Sequence, residues 1–139
     1  FAWRRILLRL FGAKIGKNVL IRPSAKITYP WKVSIGEYSW IGDNAVLYSL
    51  GEIEIGNNTV ISQRCYLCTA SHKYHDPSFP IYSKKITIGS ECWLATDVYV
   101  APGISIGNSC VVGARSSVFT NLDPKKEYIG SPAKYLKER

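Results

Sequence analysis

An all-β solenoid, a parallel β-helix of about five triangular coils with a short N-terminal helix and a 13-residue loop insertion, is the fold class that this 139-residue sequence predicts. Three observations lead there. Ile-Gly recurs at 15, 35, 55, 88 and 106, and each occurrence opens a run of aliphatic residues spaced six apart. The aliphatic positions read Ile15, Ile21, Ile27; Ile35, Ile41, Leu47; Ile55, Ile61, Leu67; Ile88, Leu94, Val100; and Ile106, Val112, Val118. Four residues after most of them stands a small or modest side chain: Val19, Ala25, Ser39, Ala45, Thr59, Cys65, Ser71, Cys92, Val98, Cys110 and Ser116, with Trp31 the bulky exception. A period of six matches neither a helix face at about 3.6 nor simple alternation at 2. It suits a short strand plus a corner, three of which close one coil, with coils stacked about 4.8 Å apart and aliphatic side chains piled into an inner column.

The elements follow in chain order. Residues 1–14 read as an N-terminal amphipathic cap, in which FAWRRILLRLFG forms a short helix ended by Gly12. Residues 15–122 carry the coils, with glycine after the aliphatic residue relieving the backbone at a corner. The first two coils take 20 residues each, the two extra residues falling at Val33-Ser34 and Ile53-Glu54, and the last interval is 18. Between 55 and 88 the interval is 33, one coil plus an insertion of 13 that spans residues 73–85 and follows His72 directly. A uniform solenoid needs no such excursion to complete its core, so the insertion points to function. Residues 123–139, with Pro124 and Pro132, read as a basic C-terminal tail.

Composition sets the remaining bounds. With 46% hydrophobic residues the chain can bury a core, and no apolar run approaches the roughly 18 residues of a membrane span, because Arg4, Arg5 and Arg9 interrupt the first one. The sequence holds no Met, so its N-terminus reads as trimmed. The formal charge of +8 points to anionic partners. Cys65, Cys92 and Cys110 fall at the small inward position and read as core filler. Cys92 and Cys110 are one coil apart and within disulfide reach, though a cytoplasmic chain would keep them reduced.

The phrases ISQRCYLCTASH (61–72), IGSECWLATDVYVAPGISIGNSCVVGARSSVF (88–119) and IGSPAK (129–134) resemble the hexapeptide-repeat acyltransferases over nearly the whole chain. Within that family they are most similar to the O-acetyltransferases of exopolysaccharide biosynthesis related to the colanic acid enzymes, and more distantly to maltose, galactoside and nodulation-factor acetyltransferases. The resemblance implies a left-handed parallel β-helix, a cytoplasmic homotrimer, and acetyl-CoA held in a groove between neighbouring subunits. It implies acetyl transfer to a saccharide hydroxyl by direct attack, with His72 as general base. An imidazole with an ordinary pKa of ~6.5 suits the removal of that proton. His75 reads as a loop residue. Asn44 stands where the family has a residue that holds acceptor or oxyanion, and is equally an ordinary corner former.

For acetyl-CoA, the resemblance puts Thr96 and Ala114 against the pantetheine through their backbone, with Thr120 nearby and Trp93 walling the groove. Lys134 and Lys137 approach the phosphates. Where the family often has Thr-Lys, this chain has Phe119-Thr120, so one cation of the pattern is missing. No metal is expected, since the metal-dependent carbonic anhydrases that share this β-helix need three interfacial histidines and this sequence has two. Other readings are an N-acetyltransferase on an amino sugar and a noncatalytic β-helical scaffold, against which His72, the insertion and IGSPAK all count. Nucleic-acid binding would rest on charge alone. The segment 1–11, arginines interleaved with Trp, Ile, Leu and Phe, can cap the first coil and can also lie at an anionic membrane surface on the inner face, where a lipid-linked acceptor would be met.

Overall fold

The computed structural model describes residues 2–139, so Phe1 of the expected helix lies outside the described residues. Five coils wind into a three-faced prism. The first face stacks Lys14–Ile15, Val33–Ile35, Ile53–Ile55, Ile86–Ile88 and Ser105–Ile106 as parallel strands. The second stacks Leu20–Ile21, Trp40–Ile41, Val60–Ile61, Trp93–Leu94 and Val111–Val112. The third stacks Lys26–Ile27, Val46–Tyr48, Tyr66–Cys68, Tyr99–Val100 and Ser117–Val118. Register follows the repeat, with Ile21 beside Ile41, Ile41 beside Ile61, and Ile61 beside Leu94.

Burial of the aliphatic column drives this stacking. Of the fifteen positions, fourteen are buried, while Ile27 in the first coil is partly covered and packs against the rest. The small inward positions are buried as well, except Ser71. Ser39 and Thr59 there give their hydroxyls to the carbonyls of Gly56 (2.6 Å) and Gly89 (2.7 Å) of the following coil, so these two buried hydroxyls are paired. All four cysteines are free thiols. Burial pushes the Cys65 thiol up to about 11.

Two of the three corners are tight, the first repeating in all five coils and the second in the last four. The first places Asn18, Tyr38, Asn58, Glu91 and Ser109 in the left-handed region of φ, and the second does so with Asn44, Arg64, Asp97 and Arg115. The glycine that opens every first corner, and Gly42 and Gly113 at the second, keep an ordinary φ and meet a close approach of the neighbouring chain segment instead. A Cβ on Gly42 would lie 2.7 Å from the Gln63 amide nitrogen and 2.8 Å from the Ser62 carbonyl carbon of the next coil. The third corner varies: a 3-10 turn at Pro30–Lys32, a turn through buried Ser49, the insertion, and a turn through Gly103 at φ +82°.

The insertion leaves the coil earlier than its length suggested. Ala70–His72 pairs antiparallel with Ile81–Ser83, with Ser71 opposite Tyr82. Ser71 therefore sits in a projecting hairpin and is exposed, which corrects its reading as an inward residue; Thr69 is the last buried residue before the ladder of the hairpin begins. The coil resumes at Ile86, which pairs with Ile53.

Both ends are closed. The helix α1 (Ala2–Leu10) lies across the open first coil with Leu8 buried, and Gly12 ends it at φ +96°. Its arginines face the solenoid: Arg4 donates to the carbonyls of Pro23 and Ala25, Arg5 to Val19 (2.9 Å), and Arg9 to Ile15 (2.7 Å) and Gly16 (3.1 Å). A first coil has no preceding coil to donate to these carbonyls, and three guanidinium groups supply the donors instead. At the other end, residues 123–139 are not a free tail. Lys126–Gly130 continues the second face beyond Val111–Val112 and folds back on Ala133–Glu138, because Tyr128 and Ala133 cover the last coil.

Candidate active site

His72 ends the first strand of the inserted hairpin and is exposed. Its Nδ1 lies 3.2 Å from the Phe79 carbonyl, and its ring stacks on that of Phe79 with centroids 4.1 Å apart and planes at 13°. A carbonyl oxygen only accepts, so this contact places the proton on Nδ1 and leaves the Nε2 lone pair as the basic site. Phe79 thus fixes both the tautomer and the plane of the imidazole. Phe79 is itself held at φ +51° by a turn in which Asp76 Oδ1 accepts from the Ser78 amide (2.9 Å) and hydroxyl (2.8 Å). The Ser78 amide, with its hydroxyl, holds the Asp76 carboxyl below the usual range. His75 sits at the tip beside Tyr74, ring centroids 4.2 Å apart.

The second corner builds a different kind of site. A groove of about 710 Å³ runs along it, bounded by Trp40, Val60, Ser62, Asn44, Arg22 and Arg64. Asn44 takes φ +57° and donates its amide to Ser24 Oγ (3.0 Å). Charged neighbours form a ladder along this edge: Arg22 to Asp43 at 3.0 Å, Arg64 to Asp97 at 2.9 Å, and Arg115 to Asp97 at 3.7 Å. Hydrogen bonds from Arg22 and Arg64 hold the Asp43 and Asp97 carboxyls below their usual range. Asp97 in turn raises the Arg64 guanidinium.

The sequence-predicted acetyl-CoA residues fall on this side with one exception. Thr96 and Ala114 occupy the same stacked position of the second corner in successive coils. The Thr96 carbonyl already accepts from the Arg115 amide at 2.8 Å. Ala114 is in the last coil, and among the described residues no amide from a further coil reaches its carbonyl. Trp93, half-exposed on the second face, donates Nε1 to Ser62 Oγ at 3.0 Å. Lys134 and Lys137 pair with Ile129 and Glu127 in the terminal hairpin. The register shift between those partners brings both lysines to the outer side of the second face, where strict alternation would have opposed them. Thr120 stands apart on the third corner.

Within one chain, His72 and Asn44 therefore lie on opposite edges of the third face. Sequence reasoning missed Phe79 and the arginine ladder. The repeat could have revealed the latter, because Asn44, Arg64, Asp97 and Arg115 share one position of the hexad. The faces also differ in chemistry. The first presents Lys14, Ser34, Glu54, Thr87 and Ser105, whereas the third carries Tyr48, Tyr66, Tyr99 and Phe119 as a ladder of rings 5.9–6.3 Å apart. Burial, with a hydrogen bond to Cys68, lifts the Tyr99 phenol to about 12. Among the described residues no three metal-ligating side chains come together.

Comparison with known proteins adds the following. No family model matches the chain. It is 59% identical over 139 residues, all of this chain and 76% of the relative, to an Escherichia coli (strain K12) protein provisionally named as the colanic acid biosynthesis acetyltransferase WcaF. A maltose O-acetyltransferase from Clostridium difficile 630 superposes with a TM-score of 0.93 at 25% identity, covering 99% of this chain and 75% of its own. A hexapeptide-repeat-containing acetyltransferase from Vibrio cholerae O1 biovar eltor, solved in complex with acetyl-coenzyme A, also superposes at 0.93, with 27% identity and coverage of 99% and 76%.

Proposed function

The chain belongs to the hexapeptide-repeat acetyltransferases, with acetyl-CoA as co-substrate, and from that premise we propose that it O-acetylates a hydroxyl of a saccharide, with His72 as general base. One observation carries the assignment of the base: the Phe79 carbonyl occupies His72 Nδ1 and leaves Nε2 exposed as the acceptor. Acetyl-CoA supplies an activated thioester carbonyl. His72 takes the proton of the acceptor hydroxyl as that oxygen attacks the carbonyl; the C–S bond then breaks, the proton passes from His72 to the departing sulfur, CoA leaves as the thiol, and no covalent intermediate on the protein is required. The saccharide class is supported by the relatives' names, which refer to colanic acid biosynthesis and to maltose.

The active unit is a homotrimer in this reading. His72 and the Asn44 groove stand on opposite edges of the third face, and a neighbouring copy joins them if its groove meets this hairpin. Two faces with half-exposed aromatic residues, Trp40 and Trp93 on one and Tyr66 and Phe119 on the other, suit a ring in which each chain meets two neighbours. Thr96, Ala114, Trp93, Lys134 and Lys137 then border the groove for acetyl-CoA, with Thr120 at its far side.

The test follows CoA thiol release from acetyl-CoA against a panel of free and lipid-linked saccharides, for wild type and His72→Ala. Stimulated release in the wild type alone, with an alkali-labile ester as product, is the expected result. An alkali-stable amide identifies N-acetylation of an amino sugar instead. Equal rates in both proteins remove His72 from its role, and a monomer in solution overturns the shared site.

A further inference from the structure

We propose that the N-terminal end of the solenoid is a docking surface for an anionic phospholipid bilayer, a role beyond acetyl transfer and independent of which acceptor is used. Two separate observations meet at this end. The first is the inverted amphipathicity of α1. Its arginines face the protein, bonded to first-coil carbonyls, while Trp3 (68% exposed), Ile6 (56%) and Leu10 (77%) share the opposite side of the helix at i, i+3 and i+7. Phe11 (59%) follows them, and Trp31 (58%) adjoins Gly12, whose missing Cβ would sit 2.9 Å from that of Trp31. Among the described residues, the outward side of this end is therefore aromatic and aliphatic, with the tryptophans that favour a membrane–water boundary. At nine residues, α1 lies on such a boundary; no helix is long and apolar enough to cross.

The second observation is where the charge lies. Residues 1–36 contain eight of the 18 Lys+Arg and none of the 10 Asp+Glu, so residues 37–139 hold ten of each and are neutral overall. The entire +8 of the chain thus belongs to α1 and the first coil. Glu37 reaches back to Lys17 (3.6 Å) and Asp43 to Arg22 (3.0 Å), but Lys14 and Lys26 have no carboxylate partner among the described residues. The carbonyl bonds of Arg4, Arg5 and Arg9 satisfy donors without cancelling charge. An apolar face at the end of the molecule that also holds the chain's excess of cations is complementary to an anionic lipid surface. Nucleic acid would use the charge and leave the apolar face without a function. Should the chain form the cyclic trimer, an axis parallel to the solenoids would set every copy of this end on one side, so that several helices engage one bilayer together.

Co-sedimentation with vesicles tests this, using phosphatidylcholine with one-quarter phosphatidylglycerol and, as control, phosphatidylcholine alone. The wild-type chain is expected to sediment with the anionic vesicles, and in about 1 M salt, where the Debye length is about 3 Å, to partition much less. The triple variant Trp3→Ser, Ile6→Ser, Leu10→Ser is expected to lose about tenfold or more in partitioning. Lys14→Gln with Lys26→Gln, which leaves α1 untouched, is expected to lose about fivefold or more. Both variants should keep the wild-type elution volume and acetyl-CoA turnover on a soluble acceptor, which separates failure here from failure of the catalytic assignment. Wild type that stays in the supernatant overturns the proposal, as does a triple variant that partitions like wild type. A triple variant that elutes as a smaller assembly overturns it in favour of a second copy as the occupant. Duplex DNA binding lost in the lysine variant but kept in the triple variant overturns it in favour of nucleic acid.

Discussion

The second and third corners of the prism perform the same backbone task in opposite ways. At the second, the coils turn alike, with Asn44, Arg64, Asp97 and Arg115 at one stacked position in the left-handed region. Amides there bind carbonyls of the preceding coil, and the side chains pair with one another as a ladder. At the third, no two turns are the same, and one has grown into the hairpin that carries His72. The two corners divide the labour. Uniform corners stack, so their side chains are committed to neighbours along the axis and offer a groove that binds. An irregular corner owes nothing to the column, so a side chain there can be aimed away from the protein and kept chemically available.

His72→Ala removes the side chain that the irregular corner leaves available. Loss of a positioned general base is expected to lower kcat by ~10²–10⁴-fold. Because His72 is exposed and outside the column, the thermal midpoint should stay at the wild-type value. A calorimetric shift of many degrees would show that the hairpin supports the coils after all. The inverse case is Leu94→Ala in the fully buried column between Ile61 and Val112, expected to cost about 2–5 kcal/mol in denaturant unfolding. Turnover per folded molecule should survive. A variant equally stable in urea would deny the column its role.

Phe79→Ala falls between these extremes. It removes the ring under the imidazole and frees the turn that aims its own carbonyl at Nδ1, and is expected to lower kcat about tenfold with little change in KM for acetyl-CoA. Phe79→Tyr, which keeps the stacking surface, should restore most of the rate. If Phe79→Ala changed KM and left kcat alone, the ring would be a wall of the binding groove and not a positioning residue.

How much of this was legible follows the same division. The column was readable because a period of six turns the aliphatic residue of every hexad inward, and of those fifteen only Ile27, in the first coil, is incompletely covered. Ser71 fitted the six-residue count and still points outward, because antiparallel pairing with Tyr82 captures it before the coil can. Local spacing carries no information about that partner. The terminal hairpin was hidden for a related reason: Lys and Pro read as a tail, whereas Tyr128 and Ala133 needed the last coil beneath them to become a cap. The arginines of α1 were legible as an amphipathic face, but not the direction of that face. Direction was set by the unpaired carbonyls of the first coil, which appear only once the coil exists.

The smallest expected effect concerns the ladder itself. Hydrogen bonds from Arg22 and Arg64 hold Asp43 and Asp97 below the ordinary carboxylate value of 3.8. A carboxyl whose folded-state value is depressed contributes stability that is present above its unfolded value and lost as the pH falls through the folded one. The contribution should therefore stand from neutral pH down to about 4 and fade below it. Both groups are at the surface, where screening keeps ion pairs weak, so the effect is a modest slope and not a collapse. Urea midpoints measured from pH 7 to below 3 check this. The double variant Asp43→Asn, Asp97→Asn should start lower than wild type, and the two curves should converge as the pH drops past 3.8. Added salt should bring them together at neutral pH as well. Curves that run parallel over the whole range would mean that the aligned corner owes nothing to its charges, and that stacking of its backbone alone maintains it.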